Sequence, residues 1–246
     1  QETYIDYGYM KVYTVLLTIL IRIDFISCYD QQIIKNMFQK FPEFITDDTR
    51  YHDPDDPTTN SKDAPRGQLI TFEKSEEKHK FLLPEKICEN NSVLDLGSCL
   101  SASGAWVLEH GAMFYTGVEI DDYNHEMATK NLKKYFSPSL WTLHKQSVLD
   151  WFKEHQDPYD VVFAGGILYA HEDQMDFLTK CANLTKKYLI IETKDTSPID
   201  TDVPLSVYKK INKMRTGSGD HAWVRCSNIP FIDMVLSPLG LKIEKK

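Results

Sequence analysis

Three features are missing from this 246-residue sequence, and each absence removes a class of function. There is no CxxC pair and no paired Cys/His spacing. The five cysteines, Cys28, Cys88, Cys99, Cys181 and Cys226, are odd in number and widely scattered. That pattern predicts a reducing, cytoplasmic setting, with no disulfide framework and no structural zinc or other metal. There is also no apolar run long enough to cross a bilayer. Met10 to Ile21 (MKVYTVLLTILI) has the basic start and apolar body of a short leader or anchor, but Arg22 and Asp24 interrupt it at once. A spanning helix needs about 20 apolar residues, so a buried helix or strand is expected here and no membrane partner. The initial Gln suggests a trimmed natural start. Finally, there is no surplus of positive charge. A net charge of −8 argues against non-specific coating of nucleic acid, which draws its affinity from Lys and Arg. The charge is uneven, about +5 from Lys180 onward and −13 before it. Such asymmetry can matter for an anionic ligand, but a merely solvated basic face is the default reading.

What is present reads as one globular α/β domain with an addition. Residues 46–66 (TDDTRYHDPDDPTTNSKDAPR) are dense in Asp, Pro, Thr and Asn, which cap and turn rather than propagate structure. They predict a boundary loop within an N-terminal extension or lid at 1–80, ahead of a main domain at 81–246. A helix is expected around Gln31 to Phe41. From Ser92 onward strands alternate with helices: strands at Val93–Leu96, Phe114–Val118, Trp141–His144, Asp160–Ala164 and Tyr188–Glu192, and helices at Ala102–His110, Tyr123–Tyr135, Val148–His155 and Gln174–Asn183. Repeated βαβ units with right-handed crossovers predict a doubly wound, mostly parallel sheet.

In such a sheet ligands bind at the carboxyl ends of the strands. After the first strand comes Asp95-Leu-Gly-Ser-Cys-Leu-Ser-Ala-Ser-Gly104, in which Gly97 lets the backbone approach a ligand and the turn runs into a helix N-terminus. Tight packing alone also explains a turn of small residues. The next strand, however, ends in Glu119, an acid about 20 residues beyond the glycine turn and suited to accept both hydroxyls of a ribose. Together the two features favour adenosine binding.

These residues resemble the class I S-adenosylmethionine (SAM)-dependent methyltransferases, over about Lys80 to Ile243. The resemblance implies SAM as cofactor and S-adenosylhomocysteine (SAH) as product. It places Asp95, Gly97 and Ser98 around the methionine part, Glu119 at the ribose, and Ser147 and Val148 at adenine, with Ser101 and Ile120 as further cofactor-binding residues. Gly165, after the fourth strand, completes the cofactor set. One departure is plain: Cys99 and Ser101 stand where the family's GxGxG pattern has glycine. Either their side chains narrow the pocket, or the turn takes a variant path in which Ser101 and Ser103 supply hydroxyls. The family also ends in an antiparallel strand pair at the sheet edge, so either the chain is shortened there or Val12 to Ile21 fills that place.

The element Gly166-Ile-Leu-Tyr-Ala-His171 is loosely similar to the tRNA wobble-uridine carboxymethyltransferase-related enzymes and to some small-molecule methyltransferases. His171 is a candidate base and Tyr169 a candidate positioning group; a hydrogen bond within the loop is the alternative for His171. Trp223, His221 and Arg225 are candidates for the acceptor pocket, against simple packing of the Trp. Lys209, Lys210, Lys213 and Arg215 read by default as a solvated helix face. The expected partner is a small-molecule acceptor, methylated at oxygen; RNA, or a non-catalytic SAM-binding role, are the alternatives.

Overall fold

The computed structural model describes residues 11–16, 37–46, 72–193, 202–212 and 221–245. Its centre is a seven-stranded sheet in the order β4-β3-β2-β5-β6-β1-β9. The strands are β1 (Lys11–Leu16), β2 (Ser92–Leu96), β3 (Phe114–Glu119), β4 (Trp141–Lys145), β5 (Tyr159–Gly165), β6 (Thr185–Thr193) and β9 (Lys242–Lys245). All neighbours in this sheet are parallel. The predicted strands and the helices α5 (Ala102–Glu109), α6 (Asp122–Tyr135), α7 (Val148–Glu154) and α8 (Gln174–Asn183) are in place with small shifts at their ends.

Alternate residues of each strand enter opposite cores, as the two-residue repeat of a strand requires. Leu94, Val162, Ala164, Leu189 and Ile191 pack with α7, α8 and α9 (Ile229–Leu236). Val93, Val161, Phe163 and Ile190 pack on the other face with α5 and the N-terminal helices. Those helices are α1 (Met37–Lys40), α2 (Glu43–Thr46), α3 (Phe72–Leu82) and α4 (Glu85–Cys88). α3 runs through residue 80, where the sequence division between extension and domain was set.

Phe38, Phe41 and Phe44 hold α1 and α2 in position. All three are buried, and each side chain taken from water is worth roughly 1.5–3 kcal/mol as an upper estimate. Phe38 stacks on Trp106 at 6.2 Å and Phe41 meets Tyr135 edge-on at 4.8 Å. Polar ties add direction: Met37 donates its amide to Glu76 Oε2 at 2.6 Å, and Tyr135 donates to Glu43 Oε2 at 2.7 Å.

β1 overlaps the Val12–Ile21 segment, one of the two alternatives for completing the sheet edge, and it lies between β6 and β9, parallel to both neighbours and not antiparallel. Residues 17–21 of that segment, most of the 46–66 loop and the first part of the helix expected at 31–41 lie outside the described residues. The helix expected around Lys209 and Lys210 is instead β7 (Ser206–Asn212), paired antiparallel with β8 (His221–Ser227) in a separate hairpin. The alternation Val207-Tyr-Lys-Lys-Ile211 is short and charge-interrupted, and pairing with a second strand decides it. Lys213 and Arg215 are outside the described residues. No described helix is long and apolar enough to cross a membrane.

Gly104 marks a close helix-to-strand approach. A Cβ built there would come 2.5 Å from the ring of Tyr115, which is held by a 3.0 Å hydrogen bond to Asp95. Gly104→Ala is therefore expected to destabilise by about 1–3 kcal/mol through overpacking, against the roughly 1 kcal/mol that Ala gains in helix propensity. A lower urea midpoint is the expected reading; a higher one would show that Tyr115 is free to move.

Candidate functional site

The sheet reverses its strand order between β2 and β5, and a crevice opens there at the carboxyl ends of the strands. It holds a cavity of about 140 Å³. From β2 and the turn after it come Asp95, Gly97, Ser98 and Cys99; from β5 come Phe163 and Gly165; from the end of β6 comes Glu192. The roof is Phe44 and Ile45 of α2 with Ser75, Lys78 and His79 of α3.

The turn after β2 keeps a left-handed trace at every position where the methyltransferase pattern has glycine. φ is +78° at Gly97, +50° at Cys99 and +59° at Ser101. The sequence expected either a narrowed pocket or a variant path, and the backbone shows the glycine-like path with side chains added. For L residues this conformation costs about 1–2 kcal/mol each. Hydrogen bonds hold it there: Gly97 and Ser98 donate their amides to Val118 O at 2.9 and 3.0 Å, and Ser101 donates to Ser98 O at 2.7 Å. Cys99 donates its amide to Glu119 Oε2 at 2.7 Å.

Glu119 is thus the brace of the turn. Its other oxygen, Oε1, accepts from the Asp121 amide at 2.7 Å. The residue is buried and is not among those lining the cavity. Each carboxylate oxygen has a second lone pair free by these bonds. Ile120, the next residue, is 67% exposed. Ser147 caps α7, accepting the Asp150 amide at 3.0 Å and donating to the Asp150 carboxylate at 2.7 Å, while Val148 is buried in the core.

Beneath the turn lies a buried polar knot. Tyr115 donates its hydroxyl to Asp95 Oδ2 at 3.0 Å, and burial followed by the Asp95 charge pushes the phenol well above its usual pKa. The Ser98 and Ser101 hydroxyls press on the same phenol, yet neither reaches good hydrogen-bond geometry.

Of the sequence-designated residues, Asp95, Gly97, Ser98 and Gly165 meet at the cavity. His171 does not line it: its ring stacks on Phe177 at 4.2 Å, and burial lowers its pKa. Tyr169 lies in a short 3-10 turn beside it, and its hydroxyl approaches Gly166. Arg225 is spent elsewhere, donating Nε–H to Ser206 Oγ at 2.7 Å and Nη1–H to the Glu172 carbonyl. His221 and Trp223 are placed in β8 by their backbone alone, paired with Asn212 and Lys210.

Sequence reading missed Ser75, Lys78 and His79. His79 is buried, and its Nδ1–H donates to Ser75 O at 2.6 Å. That carbonyl can only accept, so Nε2 carries the lone pair and accepts from Ser103 Oγ at 3.3 Å. Burial pulls its pKa down to about 4. The available signal was α3 itself, where Ser75, Lys78 and His79 share one face by their three- and four-residue spacing. Among the described residues no cluster of three or more metal-ligating side chains occurs.

Structural comparison finds the same architecture in solved proteins. An S-adenosylmethionine-dependent methyltransferase from Mesorhizobium loti aligns with a TM-score of 0.51 and 14% identity, over 68% of this chain and 80% of its own. The N-terminal domain of EvdMO1, solved with SAH bound, aligns with a TM-score of 0.52 and 16% identity, over 71% of this chain and 74% of its own. The fold is that of the class I methyltransferases. A third structure, SMU.776 complexed with SAH, shares 18% identity at a TM-score of 0.39; the alignment spans 44% of this chain and only 33% of that one. No protein-family model and no curated protein matches the sequence.

Two measurements check the methyltransferase-like turn and its roof. Cys99→Gly is expected to raise stability by roughly 1 kcal/mol, because glycine removes the left-handed penalty; a lower melting temperature would mean the Cys side chain earns its place by packing. For His79 the folded pKa, about 4, lies below the unfolded value near 6.5. The unfolded chain therefore binds the proton first, and stability falls as pH drops from about 6.5 to 4. The full effect is about 3 kcal/mol. His79→Asn, which keeps a donor for Ser75 O, should flatten that part of the stability profile, and an unchanged profile would contradict the neutral buried imidazole.

Proposed function

We propose that the chain is a SAM-dependent methyltransferase acting on a small-molecule acceptor at oxygen. The observation that carries this reading is the left-handed trace at Gly97, Cys99 and Ser101, held at the switch point beside a cavity. A mere packing turn has no need to keep two non-glycine residues strained. The fit of the cofactor rests on three further facts. Asp95 and Glu192 give the cavity carboxyl groups that suit a cationic sulfonium and ammonium. Ser98 lines the cavity, and its buried hydroxyl makes no hydrogen bond of good geometry. The Cys99 amide of the turn is already held by Glu119.

When bound, SAM supplies an electrophilic methyl group, so the chain's own task is placement and exclusion of water. Asp95, Gly97, Ser98 and Gly165 would hold the methionine part. Glu119 would take the ribose hydroxyls with its remaining lone pairs, and exposed Ile120 would cover the base. Phe44 and Ile45, anchored by the buried aromatic set of α1 and α2, keep water from the reacting centre. A base role for His171 has the least support, since its ring packs on Phe177 outside the cavity. The acidic net charge favours a small molecule over RNA.

Calorimetry with SAM and SAH tests the reading. Binding of both is expected, and Glu119→Ala should weaken SAH by at least about tenfold, the equivalent of 1.4 kcal/mol, since it removes both the ribose acceptor and the brace of the turn. No binding of either ligand to the wild type would overturn it. Binding of tRNA that falls steeply with salt would move the acceptor from a small molecule to RNA.

A further inference from the structure

The β7–β8 hairpin stands outside the central sheet, yet it is fastened to the loop that leaves the cavity. That loop begins at Gly165, in the cavity wall, and continues through Gly166 and Ile167 into the 3-10 turn Leu168–Ala170. Gly166 takes a left-handed φ of +68° and donates its amide to Glu192 O at 2.9 Å, so the first step of the loop is set by the neighbouring strand. Ile167 then lies against the turn after β2, where a Cβ built on Gly97 would come 2.9 Å from Ile167 Cδ1. Leu168 follows it into the core and is fully buried there.

One side chain seats the hairpin on this loop. Gln174, the first residue of α8, is fully buried. Its Nε2 donates to Leu168 O and to Arg225 O, both at 2.8 Å. Its Oε1 accepts from the hydroxyl of Ser206 at 3.2 Å and from that of Ser227. These bonds use both N–H groups and both lone pairs of the amide, and they join the 3-10 turn, β7 and β8 at one point. Arg225 closes the same seat, donating Nε–H to Ser206 Oγ at 2.7 Å and Nη1–H to Glu172 O. A buried network satisfied to this degree specifies one geometry, and loss of a member leaves its carbonyl and hydroxyl partners unpaired. Starting α8 does not call for it, because Asp173 already caps that helix by accepting from Asp176 N at 2.9 Å.

We infer that Gln174 is a positioning residue for the candidate site: by tying Leu168 O to the β7–β8 hairpin, it keeps Ile167 against Gly97 and sets that edge of the cavity. Gln174 does not itself line the cavity and acts through Leu168 and Ile167. The placement of β8, which carries His221 and Trp223, depends on the same amide. The effect on cofactor binding rests on the methyltransferase reading, whereas the effect on the loop stands apart from it.

Calorimetry with SAH and amide hydrogen exchange test the inference on Gln174→Met, Gln174→Glu and, as a control, Asn228→Ala. Asn228 steadies the base of the hairpin through Leu205 N and Val203 O and caps α9 through Phe231 N, and none of these bonds reaches the 3-10 turn. Both Gln174→Met and Asn228→Ala should lower the melting temperature. Gln174→Met is expected to weaken SAH about fivefold or more, while Asn228→Ala leaves it within about twofold. Gln174→Met should also speed exchange at the Ala170 and His171 amides, which donate to Ile167 O and Leu168 O, and Asn228→Ala should not. Gln174→Glu keeps the acceptors for Ser206 and Ser227 but, when ionised, offers nothing to Leu168 O; protonation returns one donor. Its loss of SAH affinity relative to wild type should therefore shrink as pH falls from about 8 to about 6. If Gln174→Met fails to fold, that profile carries the test. Unchanged SAH affinity in Gln174→Met, equal losses in Gln174→Met and Asn228→Ala, or a Gln174→Glu loss that acid does not lessen would each overturn the inference. Should wild type bind no SAH, the cofactor reading fails on its own and exchange decides: faster exchange at Ala170 and His171 in Gln174→Met alone sustains the positioning role, and equal exchange in both variants removes it.

Discussion

The site depends on one carboxylate. Glu119 ends β3 and turns back to receive the amide of Cys99, joining the second strand of the αβ series to the turn after the first. Remove that bond and the left-handed Cys99 loses the acceptor of its amide. The same carboxylate receives the Asp121 amide, and Asp121 in turn caps α6 by accepting from Asn124 N at 2.9 Å. Strand end, turn and helix start are thus fixed by one short relay of hydrogen bonds. Strain at Cys99 and Ser101 is tolerable only because such surroundings over-determine the path.

The N-terminal segment makes two contributions to this frame. β1 fills the sheet between β6 and β9 and so supports β6, whose end carries Glu192. α1 to α3 cover the other face and supply the cavity roof. Their anchors are aromatic, with Phe38, His79 and Trp106 packed in one group, and Trp106 donating Nε1–H to Leu83 O at 2.7 Å. Burial of His79 in that group keeps its imidazole neutral at the cavity wall. Packing and site chemistry are here the same fact.

Much of the sheet was legible because each strand carries its own boundary: a β-rich apolar run, a polar or acidic end, and a helix start with a capping side chain such as Ser147 or Asp173. Asp95, Gly97, Ser98 and Gly165 were legible for the same reason, since they follow strands directly. His171 follows a strand too, but one further 3-10 turn carries it past the crevice to Phe177. Arg225 sits in a β-hairpin whose pairing partner is remote in sequence, so nothing local told that its guanidinium would be spent on Ser206 and Glu172. Lys78 and His79 were hidden because α3 is polar along its length and its inward face shows only against the cavity it covers. The parallel sense of β1 depends on which neighbours it joins, and that is a property of the whole sheet.

The most direct test of a nucleoside site built on Glu119 is a crystal structure of the chain with SAH. The ribose should lie against the Glu119 carboxylate, the Cys99 amide should still donate to Oε2, and the thioether end should point into the cavity between Gly97 and Gly165. SAH bound elsewhere, or a Cys99 side chain occupying the cavity in its place, would contradict it.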